Sequence, residues 1–331
     1  VGGKVGRERQ ICDELGWKFI GVSAGKYRRY WNGAAIGQNI VDFGRLILGF
    51  FESLGLLLRT GASTVFSKGG YVALPVVIAA KMLGRRVIIH ESDSVMGLTN
   101  RISSRLASRI LTAFAPSVFP RPNDRYTQVG IPIRRALRQA ANLRGVRKSR
   151  PLILVIGGSQ GSSAINRLVR ESLTELAPVA DIVHLTGEAE IAEHIALAKT
   201  LPKKQANFYR PFAFITRELP YYFQMADLVV SRASATTIAE AAIFSKATYL
   251  IPLPTSAGDH QLINARHLQA AGAAILAEEK ALSRAKFSTD LKRLLADKTQ
   301  LQNLGSRLGA YFNEQGAVGR IVELITGEEK K

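Results

Sequence analysis

The hydrophobic positions of the first 130 residues or so fall into short runs that alternate with longer helical segments. Short, β-branched runs bounded by glycine or polar residues are typical of strands, and longer runs with 3.6-residue periodicity are typical of helices. The predicted strands are residues 18–23, 64–67, 86–90, 109–113 and 126–129, and the predicted helices are residues 7–15, 39–58, 75–82 and 99–107. Strands separated by helical crossovers indicate a parallel sheet that is covered on both faces.

The same alternation restarts after a polar, basic stretch at residues 141–150, which we interpret as a linker. The predicted strands beyond it are residues 152–156, 182–186, 206–209, 228–231, 248–252 and 274–277, with helices that include residues 163–176 and 237–244. We therefore predict an α/β fold of two Rossmann-like, doubly wound parallel-sheet domains that face a cleft. The expected limits are 1–140 and 151–312, with a C-terminal helix at 313–331 that returns to the first domain.

The start of the first domain departs from this scheme. A doubly wound domain normally opens with a buried strand that leads into a glycine turn. Here the sequence opens at Val1-Gly2-Gly3 and passes at once into a predicted helix. The first half is either one βα unit short or begins late, and we favour the second interpretation.

Composition places the chain among ordinary globular proteins. Its 331 residues suit two domains, and 47% of them are hydrophobic. The single cysteine, Cys12, excludes an internal disulfide and favours a reducing compartment. No apolar stretch is long enough to span a membrane.

The charge is distributed unevenly. Residues 1–150 hold 25 Lys and Arg against 8 Asp and Glu, and so carry +17 of the total net charge of +19. This asymmetry indicates that the first half faces an anionic partner, namely nucleic acid, a phosphorylated substrate or an acidic membrane. Nucleic acid is the least favoured of the three, because the basic residues are not interleaved with aromatic ones and no nucleic-acid-binding motif is present. A general bias toward basic residues is the alternative.

The first candidate site is the glycine-rich turn Gly157-Gly158-Ser159-Gln160-Gly161, between a predicted strand and a predicted helix. Glycines allow a tight turn, and a helix start offers free N–H groups to an anion. The spacing is neither that of a P-loop nor that of a dinucleotide-binding fingerprint. A purely structural turn is the alternative.

The second candidate is the stretch from Ser231 to Glu240, where a predicted strand ends and a helix begins near Thr236 or Thr237. Small residues before a helix start suit a diphosphate, and a carboxylate one turn later accepts hydrogen bonds from a ribose diol. The alternative is a capping box from Thr237 to Glu240 without any ligand. If both helix starts hold one diphosphate, we expect them close together on the same side of their sheet.

A third polar segment follows the next predicted strand, where a helix begins with Asp259, His260 and Gln261. Side chains at this point face the crevice at the carboxyl ends of the strands. Asp259 as a helix cap is the simpler interpretation.

Taken together, these segments resemble the MurG family of bacteria over nearly the whole chain. The matching motifs are GGYV at 69–72 with Pro75, HESDSVMGLTN at 90–100, GIPIR at 130–134, GGSQG at 157–161 and SRASATTIAE at 231–240. The resemblance implies a GT-B type, inverting glycosyltransferase that acts without a metal ion or other cofactor. Its substrates would be UDP-N-acetylglucosamine and the C4 hydroxyl of undecaprenyl-pyrophosphoryl-N-acetylmuramyl-pentapeptide, in peptidoglycan synthesis at the cytoplasmic face of the plasma membrane.

The resemblance also implies roles for particular residues. Ser159 would contact the diphosphate, Arg134 the donor at the cleft, and the backbone of Ile215 the uracil. Glu240 would bind the ribose hydroxyls and Gln261 those of the sugar. The residues implied to bind the donor are Arg134, Ser159, Ile215, Ala235, Thr236, Thr237, Ile238, Ala239, Glu240 and Gln261, with Glu91 and Asp93 at the cleft.

The sequence departs from the family pattern in ways that concern catalysis. The family's N-terminal glycine-rich loop, which ends in a histidine beside the acceptor pyrophosphate, has no counterpart, so no catalytic base is matched. Asp93 and Ile131 each stand where the family has Asn, and Met96 stands where it has Pro. A carboxylate at position 93 would disfavour an anionic ligand unless a nearby cation compensates for it.

The segment from Leu46 to Leu58, flanked by Arg45 and Arg59, is strongly apolar on most sides but too short to span a bilayer. We expect this helix to dip into an anionic membrane surface, where the basic half of the chain is attracted to the headgroups. A helix that only packs on the sheet is the alternative.

Three other functions stay open. They are transfer of a sugar to a different lipid such as diacylglycerol, sugar-nucleotide epimerisation, and binding of a UDP-sugar without catalysis. Epimerisation is disfavoured because the acid and base residues it needs are not found at the matching loops.

Overall fold

The structure is a computed structural model, which describes residues 1–4, 7–25, 33–142, 149–158, 160–202, 205, 207–312 and 316–327. The chain divides into two compact units. The first consists of Val1–Ser92, Met96–Gln128 and Ile321–Lys331, and the second of Asp93–Val95 and Val129–Arg320. Most of the predicted linker, residues 143–148, lies outside the described residues, and the predicted domain limits stay a prediction.

The first unit contains short parallel strands separated by helices. In chain order these elements are β1 Gly2–Gly3, α1 Arg7–Glu14, β2 Gly21–Val22, α2 Gly33–Thr60, β3 Thr64–Ser67, α3 Ala73–Met82, β4 Arg86–Glu91, α4 Leu98–Ser103, β5 Arg109–Thr112 and β6 Tyr126–Gln128. β1 and β2 form one parallel pair, and β3-β4-β5-β6 form a separate four-stranded parallel sheet. Burial of β4 explains the apolar run from Val87 to Ile89 at its centre.

The second unit has one six-stranded parallel sheet in the order β12-β11-β10-β7-β8-β9. Its elements are α5 Arg135–Ala141, β7 Leu152–Ile156, α6 Ser163–Leu176, β8 Asp181–Leu185, α7 Ile191–Thr200, β9 Tyr209–Phe212, α8 Leu219–Met225, β10 Leu228–Ser231, α9 Ala235–Ile243, β11 Ala247–Leu250, α10 His260–Ala270, β12 Ile275–Leu276, α11 Arg284–Ala296 and α12 Lys298–Phe312. The last helix, α13 Ala317–Thr326, begins in the second unit and continues from Ile321 as part of the first. The predicted class, two parallel-sheet α/β domains, is confirmed.

Several predicted element limits are wrong. The strand predicted at 206–209 runs instead from Tyr209 to Phe212 and includes Pro211. β9 is an edge strand, and an edge tolerates proline because it does not need every N–H donor. The strand predicted at 18–23 is reduced to Gly21–Val22, and the helix predicted at 39–58 extends over Gly33–Thr60.

The long helix α2 has one face in the core and one face in solvent. Leu57 is buried, and Phe50 and Leu54 pack against the core cluster that includes Val77 on α3. The opposite face exposes a row of large apolar side chains, which we call the α2 stripe: Ile40, Val41, Phe43, Ile47, Leu48, Phe51 and Leu58. Among the described helices, none is both long enough and apolar enough for a bilayer crossing.

Two buried histidines belong to a hydrogen-bonded network in the second unit. Asn166 donates from its amide to the Thr186 carbonyl, so its Oδ1 accepts from His184 Nε2 at 3.0 Å. His184 Nδ1 then accepts from the Tyr209 hydroxyl, and the Tyr209 oxygen accepts from His194 Nδ1. Burial of both rings favours their neutral forms, and a neutral His184 then donates through Nε2 and accepts through Nδ1.

This network makes folding stability depend on pH. Burial lowers the pKa of His184 well below its usual value, and burial also lowers the pKa of His194. The unfolded chain takes up these protons near pH 6.5 while the folded chain does not, so the free energy of unfolding falls as the pH drops below that value. Urea unfolding should show a loss of about 2 kcal/mol between about pH 7.5 and about pH 5.5. A His184→Gln, His194→Gln variant should show a flatter profile, and an equal slope in both proteins would contradict this explanation.

Candidate functional site

The polar segments singled out in the second half meet at one edge of the second unit's sheet. β11, β10 and β7 are neighbours, with Ser231 level with Leu250 on one side and with Ile156 on the other. All three strands are parallel, so the turns that follow them lie at the same carboxyl edge. The glycine-rich turn and the start of α9 are therefore brought together as expected.

The two helices cover opposite faces of the sheet, whereas both of their starts lie at its carboxyl edge. The connection from β7 leads to β8, whereas the connection from β10 leads to β11 in the opposite direction along the sheet. Because such crossovers are right-handed, α6 and α9 cover different faces. The connections that leave the adjacent strands β7 and β10 thus run in opposite directions along the sheet. Such a topological switch point opens a ligand crevice at the carboxyl edge.

The glycine-rich turn fits closely against the end of β8. A Cβ at Gly161 would lie 2.0 Å from the Thr186 carbonyl oxygen, and Gly161 has a φ of +80°. Only glycine suits this position. The side chain of Ser162 caps α6 by accepting a hydrogen bond from the Ile165 N–H. Ser159, assigned to the diphosphate, lies outside the described residues.

Helix α9 begins one to two residues earlier than predicted. Ser234 is its N-cap, and its hydroxyl accepts a hydrogen bond from the Thr237 N–H. The alternative of a capping box from Thr237 to Glu240 is therefore wrong, because Thr237 already lies inside the helix. General helix geometry leaves the N–H groups of Ala235 and Thr236 available to a ligand, and Thr236 is exposed. Of the remaining assigned positions, Ile238 and Ala239 are fully buried.

Glu240 and Arg134 form an ion pair, which links two residues assigned to the donor. Arg134 Nη2 lies 3.1 Å from Glu240 Oε1. The Glu240 side chain is 11% exposed and that of Arg134 is 52% exposed. Burial raises the pKa of Glu240, and the Arg134 charge opposes that increase. Arg134 thus favours the ionised form of a carboxylate that its burial disfavours.

Replacing Arg134 with methionine should change the pH dependence of donor binding. Without the guanidinium, the already raised pKa of Glu240 should rise further, because burial is no longer opposed. If the carboxylate form binds the donor, loss of affinity on acidification should begin at a higher pH, by about one unit. Titration calorimetry with UDP-N-acetylglucosamine between about pH 5 and about pH 8 would measure this. Superimposable profiles for Arg134→Met and the unaltered chain would contradict it.

The other donor residues of the resemblance follow the carboxyl ends of β11 and β9, with Gln261 in the first turn of α10 and Ile215 in the segment after β9. Gln261 Oε1 accepts from the Leu253 N–H at 3.0 Å and so holds the loop between β11 and α10. Ile215 is buried in the segment after β9. Asp259 is the N-cap of α10, as the simpler interpretation had it, but it has a φ of +53° and its side chain makes no capping hydrogen bond.

The two residues that the resemblance places at the cleft, Glu91 and Asp93, have different hydrogen-bond partners. Glu91 is buried and its Oε2 accepts hydrogen bonds from Asn100 Nδ2 and the Gly97 N–H, which organises the start of α4. Asp93 accepts from Asn264 Nδ2 at 2.8 Å within the second unit. A neutral amide donor thus accommodates the carboxylate at position 93.

Sequence reasoning missed the buried Asn264, which lies one turn after Gln261 on α10. Its Oδ1 accepts from both the N–H and the hydroxyl of Ser94, and its amide also donates to the Ala233 carbonyl. Asn264 thereby joins the 93–95 segment to the turn after β10. The only indication in the sequence was that Asn264 lies three positions after Gln261, which places both side chains on one face of the helix.

Asn264→Ala should destabilise the second unit. The substitution would leave the Ser94 N–H and the Ala233 carbonyl buried without their partner, at a cost of about 2–4 kcal/mol. Calorimetry should show a melting temperature lower by about 5–10 °C. The exposed Asn303→Ala on α12 is the matched control and should change it little. Equal melting temperatures for both variants would show that the Asn264 contacts contribute nothing.

Family comparisons agree with this architecture. The glycosyltransferase family 28 N-terminal domain matches residues 1–112, and the glycosyltransferase family 28 C-terminal domain matches residues 152–317. With two parallel-sheet units, this defines a glycosyltransferase of the GT-B type.

Comparison with individual proteins identifies the family within this class of glycosyltransferases. The UDP-N-acetylglucosamine--N-acetylmuramyl-(pentapeptide) pyrophosphoryl-undecaprenol N-acetylglucosamine transferase of Clostridium kluyveri is 33% identical over 98% of this chain and 89% of its own length. The enzyme of the same name from Shouchella clausii is 34% identical over 89% of this chain and 81% of its own. The crystal structure of Acinetobacter baumannii MurG aligns with a TM-score of 0.77 and 25% identity, over 98% of this chain and 89% of that one. The chain belongs to the MurG family, and the resemblance is confirmed.

Proposed function

We propose that this protein transfers N-acetylglucosamine from UDP-N-acetylglucosamine to the C4 hydroxyl of undecaprenyl-pyrophosphoryl-N-acetylmuramyl-pentapeptide. The relatives are named for this reaction. The observation that carries the proposal is the buried carboxylate of Glu240, paired with Arg134, one turn inside a helix that starts at the carboxyl edge of the sheet.

The donor would bind with its diphosphate between the glycine-rich turn and the start of α9. Both helix starts direct N–H groups and the positive end of the helix dipole toward the crevice. Glu240 lies one turn further along α9, where its carboxylate would accept hydrogen bonds from the ribose hydroxyls. Its Oε1 already faces Arg134, so Oε2 would be the first oxygen available to the ribose.

At the sugar end, the Gln261 amide would donate to a hydroxyl. Its carbonyl oxygen is already bonded to the Leu253 N–H, which fixes the orientation of the side chain. The backbone of Ile215 would contact the uracil. Ser159 would contact the diphosphate, as the family motif implies.

The reaction would be a single displacement with inversion. The acceptor C4 oxygen forms a bond to the anomeric carbon, the bond from that carbon to the β-phosphate oxygen breaks, and UDP leaves with the electron pair. The hydroxyl proton passes to a base that the family motifs do not match in this chain. The helix starts and Arg134 would stabilise the charge that develops on the leaving diphosphate, so we propose that no metal ion is required.

A transfer assay tests the proposal directly. The chain, radiolabelled UDP-N-acetylglucosamine and the lipid-linked muramyl-peptide acceptor should give a labelled lipid product, with equal yield in the presence of EDTA. Calorimetry with UDP-N-acetylglucosamine, UDP-galactose and duplex DNA should show selective binding of the first. Donor binding without transfer would identify a UDP-sugar-binding protein and contradict the catalytic part. Transfer to diacylglycerol instead would indicate a different acceptor class, and DNA binding alone would contradict the whole proposal.

We also propose that the protein works as a peripheral protein on the anionic cytoplasmic face of the plasma membrane, where a lipid-linked acceptor is found. The α2 stripe and the basic charge of the first half support this.

A further inference from the structure

The glycine-rich turn packs on the segment Thr186-Gly187, which follows β8. A Cβ at Gly161 would overlap the Thr186 carbonyl oxygen, and a Cβ at Gly187 would overlap the Gln160 carbonyl oxygen. Both glycines also have positive φ angles, of +80° and +82°, which residues with a side chain rarely adopt. Backbone therefore packs directly on backbone here, so the position of the Thr186 carbonyl determines where Gly161 lies.

The side chain of Asn166 holds the Thr186 carbonyl. Asn166 is fully buried, and its Nδ2 donates to that carbonyl oxygen at 2.9 Å. It lies in the first turn of α6, where its backbone N–H donates to the carbonyl of the N-cap, Ser162. The Thr186 N–H donates in turn to the Phe212 carbonyl of β9. Asn166 thus connects the start of α6, which follows the glycine-rich turn, to the end of β8.

His184 determines which way the Asn166 amide faces. A primary amide can turn over and exchange the positions of its oxygen and its nitrogen. In the exchanged orientation the amide oxygen would face the Thr186 carbonyl oxygen, and two acceptors would meet without a proton between them. His184 Nε2 prevents this exchange, because it donates to Asn166 Oδ1 at 3.0 Å. The bond from Asn166 to Thr186 therefore depends on the imidazole two residues earlier in the chain.

Tyr209 and His194 keep the His184 ring in place. The Tyr209 hydroxyl oxygen lies 3.0 Å from His184 Nδ1 and 2.6 Å from His194 Nδ1, and the two imidazoles meet edge to face at 4.9 Å. Both histidines are fully buried. Apolar side chains would fill this space without the cost of desolvating polar groups. Directed hydrogen bonds that end at the glycine-rich turn fix an orientation instead, which apolar packing alone does not do.

We propose that Asn166 and His184 are positioning residues of the donor site, which hold the glycine-rich turn in the shape that receives the donor diphosphate. The proposal rests on the proposed function, in which that turn binds the diphosphate. Both side chains are fully buried and act through the Thr186 carbonyl. Binding groups must lie within about 0.5 Å of their productive positions, so a small displacement of Gly161 would weaken the contacts to the diphosphate and spare those to the uridine.

The test measures how much the diphosphate contributes to affinity, as the Kd of uridine divided by the Kd of UDP. Titration calorimetry gives the Kd of UDP, and competition against UDP gives that of uridine. Asn166→Leu keeps the approximate volume of the side chain but removes the donor to Thr186, and should lower this ratio by about tenfold. His184→Leu removes the donor to Asn166 and should have the same effect. His184→Gln keeps an N–H donor near the Nε2 position and should restore the ratio to within about threefold of the unaltered chain.

Leu173→Ala is the matched control for lost stability. Leu173 lies on the same helix, is buried in the apolar core and takes no part in the hydrogen-bonded network. The substitution should lower the melting temperature, since it leaves a cavity. It should leave the ratio unchanged, because a smaller folded fraction weakens the binding of both ligands equally.

A measurement on the unaltered chain covers the case in which the leucine variants do not fold. UDP, and not uridine, should shift the NMR signals of the Asn166 side-chain amide. An unchanged ratio in Asn166→Leu and His184→Leu, an equal fall in Leu173→Ala, or an Asn166 amide signal that does not respond to UDP would overturn the proposal. If the unaltered chain binds UDP no more tightly than uridine, the turn does not bind a diphosphate and the proposed function itself is contradicted.

Discussion

Replacing Glu240 with alanine should weaken the binding of UDP-N-acetylglucosamine by about 100-fold. In the proposed complex the carboxylate accepts two hydrogen bonds from the ribose, and each bond to a charged group contributes about 1.5–3 kcal/mol. Loss of about 3 kcal/mol corresponds to roughly two orders of magnitude in Kd. The substitution leaves Arg134 without its partner, but that side chain is half exposed and water can solvate it. Titration calorimetry measures the change.

Two further variants test whether Glu240→Ala loses affinity through a lost contact with the donor or through a general disturbance of the fold. Glu240→Gln keeps one carbonyl oxygen acceptor and should lose about tenfold in affinity. Glu278→Ala removes another carboxylate of the second unit, which forms an exposed ion pair with Arg266, and should leave Kd unchanged. If Glu240→Ala binds the donor as tightly as Glu278→Ala, the ribose role of Glu240 is wrong and its ion pair with Arg134 is purely structural.

The features of this site that could be predicted are those that depend on residues close together in the sequence. β7 and the turn after it are marked by an apolar run that ends in glycines, and the strand is found as predicted at Leu152–Ile156. Burial on both faces makes such strands nearly continuous in apolar residues, so their limits are sharp. Parallel strands then place the following turns at one edge without further information.

What could not be predicted depends on contacts between distant residues. Arg134 and Glu240 are 106 positions apart, and nothing local indicates their ion pair. The same is true of Ser94 and Asn264, at a separation of 170. At the start of α9, the sequence offered a capping box at Thr237, because Thr237 and Glu240 have its spacing, whereas the structure has the N-cap at Ser234. Only the fold distinguishes the two.

The face of α2 that carries the stripe was likewise beyond sequence reasoning, since apolar residues occupy most of its circumference. The structure assigns Phe50 to the core side and Phe51, which is 61% exposed, to the solvent side. The two neighbouring rings meet edge to face at 5.2 Å. A charge at Phe50 would therefore disturb folding, and a test of membrane binding must use residues of the stripe.

Ile47→Glu combined with Phe51→Glu should lower binding to vesicles of phosphatidylglycerol and phosphatidylethanolamine by about 100-fold or more. Each side chain buried in the membrane interface contributes about 1.5–3 kcal/mol. Met82→Glu with Val179→Glu is the matched control: it adds the same charge at exposed apolar positions outside the α2 stripe. Sedimentation with vesicles measures the partition of each variant. If both double variants bind as the unaltered chain does, the α2 stripe has no role at the membrane.

Salt dependence distinguishes the apolar contribution to binding from the electrostatic one. Of the basic residues around the α2 stripe, Arg45 is paired with Asp42 at 3.0 Å and Lys4 with Glu52 at 2.6 Å. A cation that is already paired with a carboxylate contributes less to the free energy of membrane binding than the approximately 1 kcal/mol expected of an unpaired Lys or Arg near anionic lipid. We therefore expect raised salt to weaken vesicle binding by less than the Ile47→Glu, Phe51→Glu substitution does, and neutral vesicles to retain measurable binding. Complete release by salt, with no effect of the double substitution, would make the basic charge and not the α2 stripe the membrane anchor.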